Sequence, residues 1–476
     1  ARLPGGGAMA TTISAPWRAW VQRRLLLGWE PRPELLGILL VYFVQGVIGL
    51  ARLAVSFFLK DELGLSPATV AALTGIAALP WMVKPLFGFI ADGLPLGGYR
   101  RRSYLMLSGV LGACAWGLLA TWVHQPWQAV AVITLASLAT AMGDVIADSL
   151  VVERVRGASQ SHTGSLQSLC WGTSAVGGLV TAYFSGSLLE HLGTRAVFGI
   201  TAVFPLLVSL GAFAVQETPV TERQGLGKEM VNQVRQVWAA MNQRAILLPT
   251  AFLFLWQATP TSDTAFFFFV TNELQFPPEF LGRVRLVTSV AALVGVWLFQ
   301  RYLRNVPIRR MLFWTTVLSS GLGLTSLLLV THTNRLLGIP DRWFSLGDSA
   351  ILTVMGELAF MPVLVLAARL CPPGIEATLF ALLMSVLNLA GGVAHELGAL
   401  LTHLLGITET QFDRLWLLMT ITNLSTLLPL PLLHWLPDHT ASSETHPSLP
   451  PAVIPDTVVL GELAPGLHFE AVEVES

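Results

Sequence analysis

The chain has 476 residues, 53% hydrophobic and 12% charged, with a formal net charge of −1 and a mean hydropathy of +0.63. Soluble domains carry about 25% charged residues, so this chain has too little charge to cover its surface in water, and its neutral balance gives no footprint for nucleic acid. Cys114, Cys170 and Cys371 lie in or at the ends of apolar runs at unrelated spacings, which implies neither a disulfide framework nor a metal site.

Residues 1–32 read as a basic, cytoplasmic N-terminal tail with Arg18, Arg23 and Arg24. No apolar core of a cleavable signal is evident there, and Ser14 as its only serine argues against an organellar transit peptide. Apolar runs long enough to cross a bilayer, roughly 20 residues each, follow at 33–59, 67–91, 103–123, 127–150, 162–190 and 195–215. A polar linker at 216–245 carries Arg223, Lys228, Arg235 and Arg244. Six further runs lie at 246–271, 280–303, 308–331, 344–370, 376–405 and 412–436. Residues 437–476 hold prolines and acids without Lys or Arg and are expected to be a disordered, acidic, cytoplasmic tail. The pattern predicts an all-α membrane protein with twelve transmembrane helices in two six-helix pseudo-repeats, 33–215 and 246–436. Segments on the side of the two termini hold most of the 28 Lys and Arg residues, which places both ends in the cytoplasm.

The stretch from Lys84 to Arg102 organises the first half. Lys84 and Pro85 sit near the end of an apolar run, Gly88 and Asp92 follow, and a Gly/Pro turn leads into Arg100, Arg101 and Arg102. Pro85 lacks the N–H that would bond the Trp81 carbonyl, so a kink is expected there. Asp92 at a helix C-terminus opposes the helix dipole; pairing with an Arg or a helix N-terminus accounts for it better. A weak internal repeat supports two halves: Arg101–Arg102 and Arg309–Arg310 each lead into the third run of their half, and Gly143-Asp144 has a counterpart in Gly356-Glu357.

Ionisable residues inside these runs are costly unless paired or set in a wet cavity, so each is a candidate. Asp144 and Asp148 fall on one face of the fourth run, one turn apart. Together they suit a shared proton or the donor edge of a pterin; pairing with Arg52, Lys84 or Arg154 is the structural alternative. Arg52 in the first run, with Gln45 expected on the same face, suits an anionic ligand, or its side chain snorkels to the interface. Lys84 has the same two readings. Gln167 and Trp171, one turn apart in a polar stretch of the fifth run, suit a planar heteroaromatic ligand by hydrogen bond and stacking, or serve helix packing. Asp263 and Glu357 are further acids for a cavity, and His395 with Glu396 offers either a proton site or a packing contact. Arg100–Arg102 can also be read as topology signals alone. No phosphate-binding loop, Gly-x-Ser-x-Gly or His-Glu-x-x-His occurs, so no enzyme or ATP-driven pump is expected, and no cofactor or metal.

The Gly88-x-x-x-Asp92, turn and arginine pattern resembles the helix 2–3 loop signature of the major facilitator superfamily. More narrowly, the first half is similar to the folate–biopterin transporters. The resemblance is carried by Pro-Glu-Leu-Leu at 33–36, Leu-Ala-Arg-Leu-Ala at 50–54, Phe-Phe-Leu-Lys-Asp-Glu-Leu at 57–63, Leu-Pro-Trp-Met-Val-Lys-Pro-Leu-Phe-Gly at 79–88 and Asp-Val-Ile-Ala-Asp-Ser at 144–149. It implies a major facilitator fold and transport of folate or a pterin by alternating access without ATP, with protons as a candidate coupling ion at Asp144 and Asp148. It also implies a gate at Lys84, Gly88, Asp92 and Arg100–Arg102. The compact loops and short N-terminal stretch favour a cyanobacterial-type inner membrane over a plastid envelope, and a monomer is expected. A transporter of another organic solute, or a non-transporting receptor or scaffold, would share the same architecture.

Overall fold

A computed structural model describes residues 22, 26, 29–154, 160–219, 235, 239, 241–303, 306–370 and 376–436. Among them every regular element is helical, apart from one isolated bridge between Leu96 and Tyr99. Helices satisfy their own backbone hydrogen bonds, which a chain immersed in hydrocarbon requires. Ten helices among the described residues are long and apolar enough to cross a membrane, and the protein is an integral, multi-pass membrane protein. In chain order we label α1 Pro33–Glu62, α2 Pro67–Ala91, α3 Arg102–Thr121, α4 Pro126–Arg154, α5 Gln160–Ala212, α6 Arg244–Gln257, α7 Asp263–Phe268, α8 Pro278–Leu303, α9 Ile308–Val330, α10 Asp341–Arg369, α11 Glu376–Leu404 and α12 Leu415–Trp435.

Two places depart from twelve separate runs. The fifth and sixth runs meet in α5 at Gly193, whose φ of 78° and ψ of 171° lie outside the helical region; glycine enters that region without steric cost. The seventh run is broken after Gln257 and resumes at Asp263. Pro260 in the gap has no N–H to offer a helix, and Thr261 N donates instead to the Ala394 carbonyl of α11 at 3.3 Å.

The ends of the first and seventh runs are built alike. Phe57–Leu63 reads Phe-Phe-Leu-Lys-Asp-Glu-Leu and Phe268–Leu274 reads Phe-Phe-Val-Thr-Asn-Glu-Leu. Both close in a π turn, Phe58–Glu62 and Phe269–Glu273. Leu63 N donates to Phe58 O at 3.0 Å, and Leu274 N to Phe269 O at 3.1 Å. Each turn is followed by a residue of positive φ, Gly64 or Gln275, and a proline then opens the next helix, Pro67 or Pro278.

Among the described residues, the apolar core that joins the two halves lies at this end. Phe57, Phe58, Leu59, Trp116 and Phe198 bury Phe268 from the second half, with Leu281 and Phe412 packed against them. Lys60 Nζ donates to Asn272 Oδ1 at 2.7 Å, and Asn272 Nδ2 to the Glu409 carbonyl at 2.8 Å. Nearby, Gly186 of α5 and Gly282 of α8 meet backbone to backbone; a Cβ on Gly186 would come within 2.9 Å of Gly282 Cα. At the opposite end, which carries Arg100–Arg102, the cores are separate. One is made around Leu35, Tyr42, Leu105 and Ile146, the other around Phe252, Leu312, Met361 and Leu383.

Candidate functional site

Lys84 of α2, Asp144 and Asp148 of α4 and Tyr42 of α1 form one polar cluster. α2 loses helical geometry at Val83, where φ is −103° and ψ 16°, and Lys84 opens its last segment with Pro85 beside it. Lys84 pairs with Asp144 of α4, each side chain 16% exposed, and its ammonium lies 5.3 Å from the Trp81 ring. The pairing offsets most of the cost of holding either charge away from water. One turn along α4, Asp148 accepts a hydrogen bond from Tyr42 Oη at 2.6 Å. Of the three cations weighed for these carboxylates, Lys84 pairs with Asp144, and the side chain of Arg154 lies outside the described residues.

Arg52 is exposed although it lies in an apolar helix, and no acid pairs with it among the described residues. Arg285 of α8 reaches the same turn of α1 from the other half. Arg285 donates through Nη1 and Nη2 to the Gly49 carbonyl, both at 3.2 Å, and through Nη1 to Ser185 Oγ at 3.3 Å. Gly49 interrupts α1 with a turn, and its carbonyl also accepts from Arg52 N at 3.2 Å. The same turn separates Gln45 from Arg52. Gln45 lines a pocket inside the first half, with Val44, Ile48, Thr140, Gly143 and Pro205, and its Nε2 is buried without a hydrogen-bond partner.

In the second half, Asp263 is exposed in the first turn of α7, where a negative charge is favourable to the helix dipole. Glu357 of α10 is 7% exposed, lies against Gly295 of α8, and makes no hydrogen bond or ion pair among the described residues. Glu396 on α11 faces Gly75 of α2, while His395 Nδ1 is buried without a partner. The side chains of Gln167, Trp171 and Asp92 lie outside the described residues. Among the described residues no group of His, Cys, Asp and Glu could hold a metal ion.

Gly88 packs toward Val145 of α4. The arginine loop is held by a residue not expected from the sequence. The Glu217 carboxylate accepts from the backbone N–H groups of Arg100 at 2.6 Å, Arg101 at 3.1 Å and Arg102 at 3.0 Å. It thereby caps the N-terminus of α3, where donors are left over and the dipole favours an anion. The Arg102 guanidinium covers the rings of Tyr99 and Phe213. Arg285, Tyr42 and Asn388 are likewise absent from the residues singled out by sequence; of these only Arg285, a charge within a run of apolar residues, leaves a readable signal.

The chain is 61% identical over 429 residues to "Folate-biopterin transporter" from Synechocystis sp., covering 90% of this chain and 87% of that protein. It is 31% identical to "Probable folate-biopterin transporter 4" of Arabidopsis thaliana, covering 84% and 94%, and 30% identical to "Folate transporter 2" of Plasmodium falciparum, covering 84% and 87%. The crystal structure of the nucleoside transporter NupG shares the fold, with a TM-score of 0.63 at 13% identity over 84% of this chain and 98% of that one. The family model described as the BT1 family matches residues 45–448, and the chain belongs to that family.

Proposed function

We propose that the protein is a secondary transporter that moves folate or a related pterin across a bacterial inner membrane by alternating access, as a monomer with both termini in the cytoplasm. Membership of the BT1 family and the printed names of the relatives support the substrate class. The observation that carries the mechanism is Arg52, exposed within an apolar helix one turn from the Gly49 carbonyl that Arg285 of the other half bonds. Such a charge is tolerable in a membrane where a wet passage runs beside it.

In this reading residues 33–215 and 246–436 are two bundles of six passes each. Gly193 is the reversal between the fifth and sixth passes, and α6 with α7 forms the seventh. The halves rock about α2 and α11. The mouth at Lys60 and Asn272 is shut, while the end with separate cores opens to the cytoplasm. Asp92 and Arg100–Arg102 serve the cytoplasmic gate, with Lys84 and Gly88 beside them. Arg52 draws the anionic end of the ligand. Asp144 exchanges Lys84 for a proton or a pterin donor, Asp148 does the same with Tyr42, and Gln167, Trp171, Asp263 and Glu357 complete the passage.

Uptake of labelled folate into proteoliposomes, with and without an imposed pH gradient and with excess pterin as competitor, tests the proposal. Uptake that pterin suppresses is expected, stimulated by the gradient where protons are coupled. Arg52→Ala and Asp144→Asn are expected to lower it while insertion is normal. Absence of flux in the wild type would overturn the reading.

A further inference from the structure

We propose that Arg285 is a second anchor for the ligand and that Arg285 and Arg52 form a two-guanidinium site, one from each half, for the paired carboxylates of a glutamyl-type anion. The inference rests on the transporter reading above and assigns a specificity-determining role to a residue outside the sites expected from the sequence.

The geometry centres on the Gly49 carbonyl. It accepts from Arg285 of α8 and from the backbone N–H of Arg52 on α1, so the Arg285 head lies one helical turn from the Arg52 backbone. No carboxylate pairs with either side chain among the described residues, so two positively charged residues meet at the same turn of α1 without a counter-ion. Two like charges brought together in a region of reduced dielectric without a counter-ion are costly. An anion bound between them removes that cost and adds charge-assisted hydrogen bonds in the forked geometry that guanidinium and carboxylate share. Arg285 makes three hydrogen bonds to Gly49 and Ser185, which fix its orientation, and two of its five donor hydrogens remain for other acceptors if each bond takes one. A free pterin, which has no carboxylate, gains nothing here. The site therefore selects a conjugated folate-like anion over a free pterin, and because its members come from both halves, occupancy draws them together at the Lys60 end.

Full-length protein in proteoliposomes would be assayed side by side with labelled folate and labelled biopterin, as wild type, Arg285→Gln and Arg285→Lys. Purified protein would be tested in parallel for thermal stabilisation by p-aminobenzoylglutamate, which has the carboxylates without the pterin ring. Arg285→Gln is expected to raise the half-saturating folate concentration roughly ten- to a hundredfold, the scale of one charge-assisted contact, and to leave biopterin unchanged. Arg285→Lys should fall between, since it keeps the charge but loses the fork. Stabilisation by p-aminobenzoylglutamate should vanish in Arg285→Gln. Equal loss of both substrates would make Arg285 a helix staple and overturn the proposal, as would unchanged folate uptake. A wild type that carries neither substrate, yet is stabilised by the probe through Arg285, would sink the transporter reading and leave the anion site standing. Where Arg285→Gln does not insert, Arg285→Lys and Arg52→Gln carry the same comparison.

Discussion

Asn388 of α11 donates through Nδ2 to the Trp81 carbonyl at 3.4 Å, the carbonyl whose helical partner Pro85 removes. A donor from the second half thus completes a backbone deficit in the first. Asn388→Ala should cost about 1 kcal/mol by leaving that acceptor unpaired. In Pro85→Ala, where the helix supplies its own donor, the same substitution should cost nearly nothing. A double-mutant cycle on thermal unfolding of the purified protein measures the coupling; additive effects would dismiss the contact.

The Lys84–Asp144 pair makes an asymmetric prediction. Lys84→Ala alone leaves the Asp144 carboxylate without its ion-pair partner and should destabilise by about 3 kcal/mol or somewhat less, because each side chain is still partly exposed. Lys84→Met with Asp144→Leu should restore most of the loss and yet transport nothing if Asp144 works on the ligand or a proton. Parallel measurement of stability and uptake separates the two roles.

At the shut mouth, Asn272→Ala removes a hydrogen bond to Lys60 and another to the Glu409 carbonyl. The lost contacts should shift the protein toward the state open at this end. A cysteine placed at Phe267, which stacks edge-on with Phe57 at 5.3 Å, should label several-fold faster with a membrane-impermeant thiol reagent in the Asn272→Ala background. Unchanged labelling would mean that the hydrogen bonds do not hold the mouth.

Glu217→Gln should weaken the cap on α3 by about 1 kcal/mol, and Glu217→Ala by up to about 2 kcal/mol. Both should increase proteolytic cleavage of the segment between α2 and α3 without abolishing insertion. Equal cleavage in all three proteins would count against the cap.

Much of the fold can be read from hydropathy, because a bilayer demands long apolar runs and tolerates few interruptions. The limits are local. Pro260 marks a break that composition does not weigh, and at Gly193 one residue of non-helical backbone is enough to separate two helices that otherwise abut. Regular periodicity does not encode a π turn, yet the matching words at 57–63 and 268–274 are a stronger repeat than the arginine pairs at 101–102 and 309–310. Asp144 stands out because a charge is rare in such a run, but its partner comes from another helix. Arg285 is likewise a charge inside the run at 280–303, but its contacts with Gly49 and Ser185 come from the other half of the chain. Glu217 acts through backbone groups remote in the chain, which no local pattern reveals.

The lopsided sharing of aromatic residues has a thermal consequence. Parting the Lys60 mouth wets Phe57, Phe58 and Phe268, whereas widening the Arg100 end disturbs neither separate core. Hydration of rings raises heat capacity, so the step that bares them should have a strongly curved Eyring plot and the opposite movement a nearly straight one. A carrier built this way is a hinge whose two strokes answer differently to a change of climate.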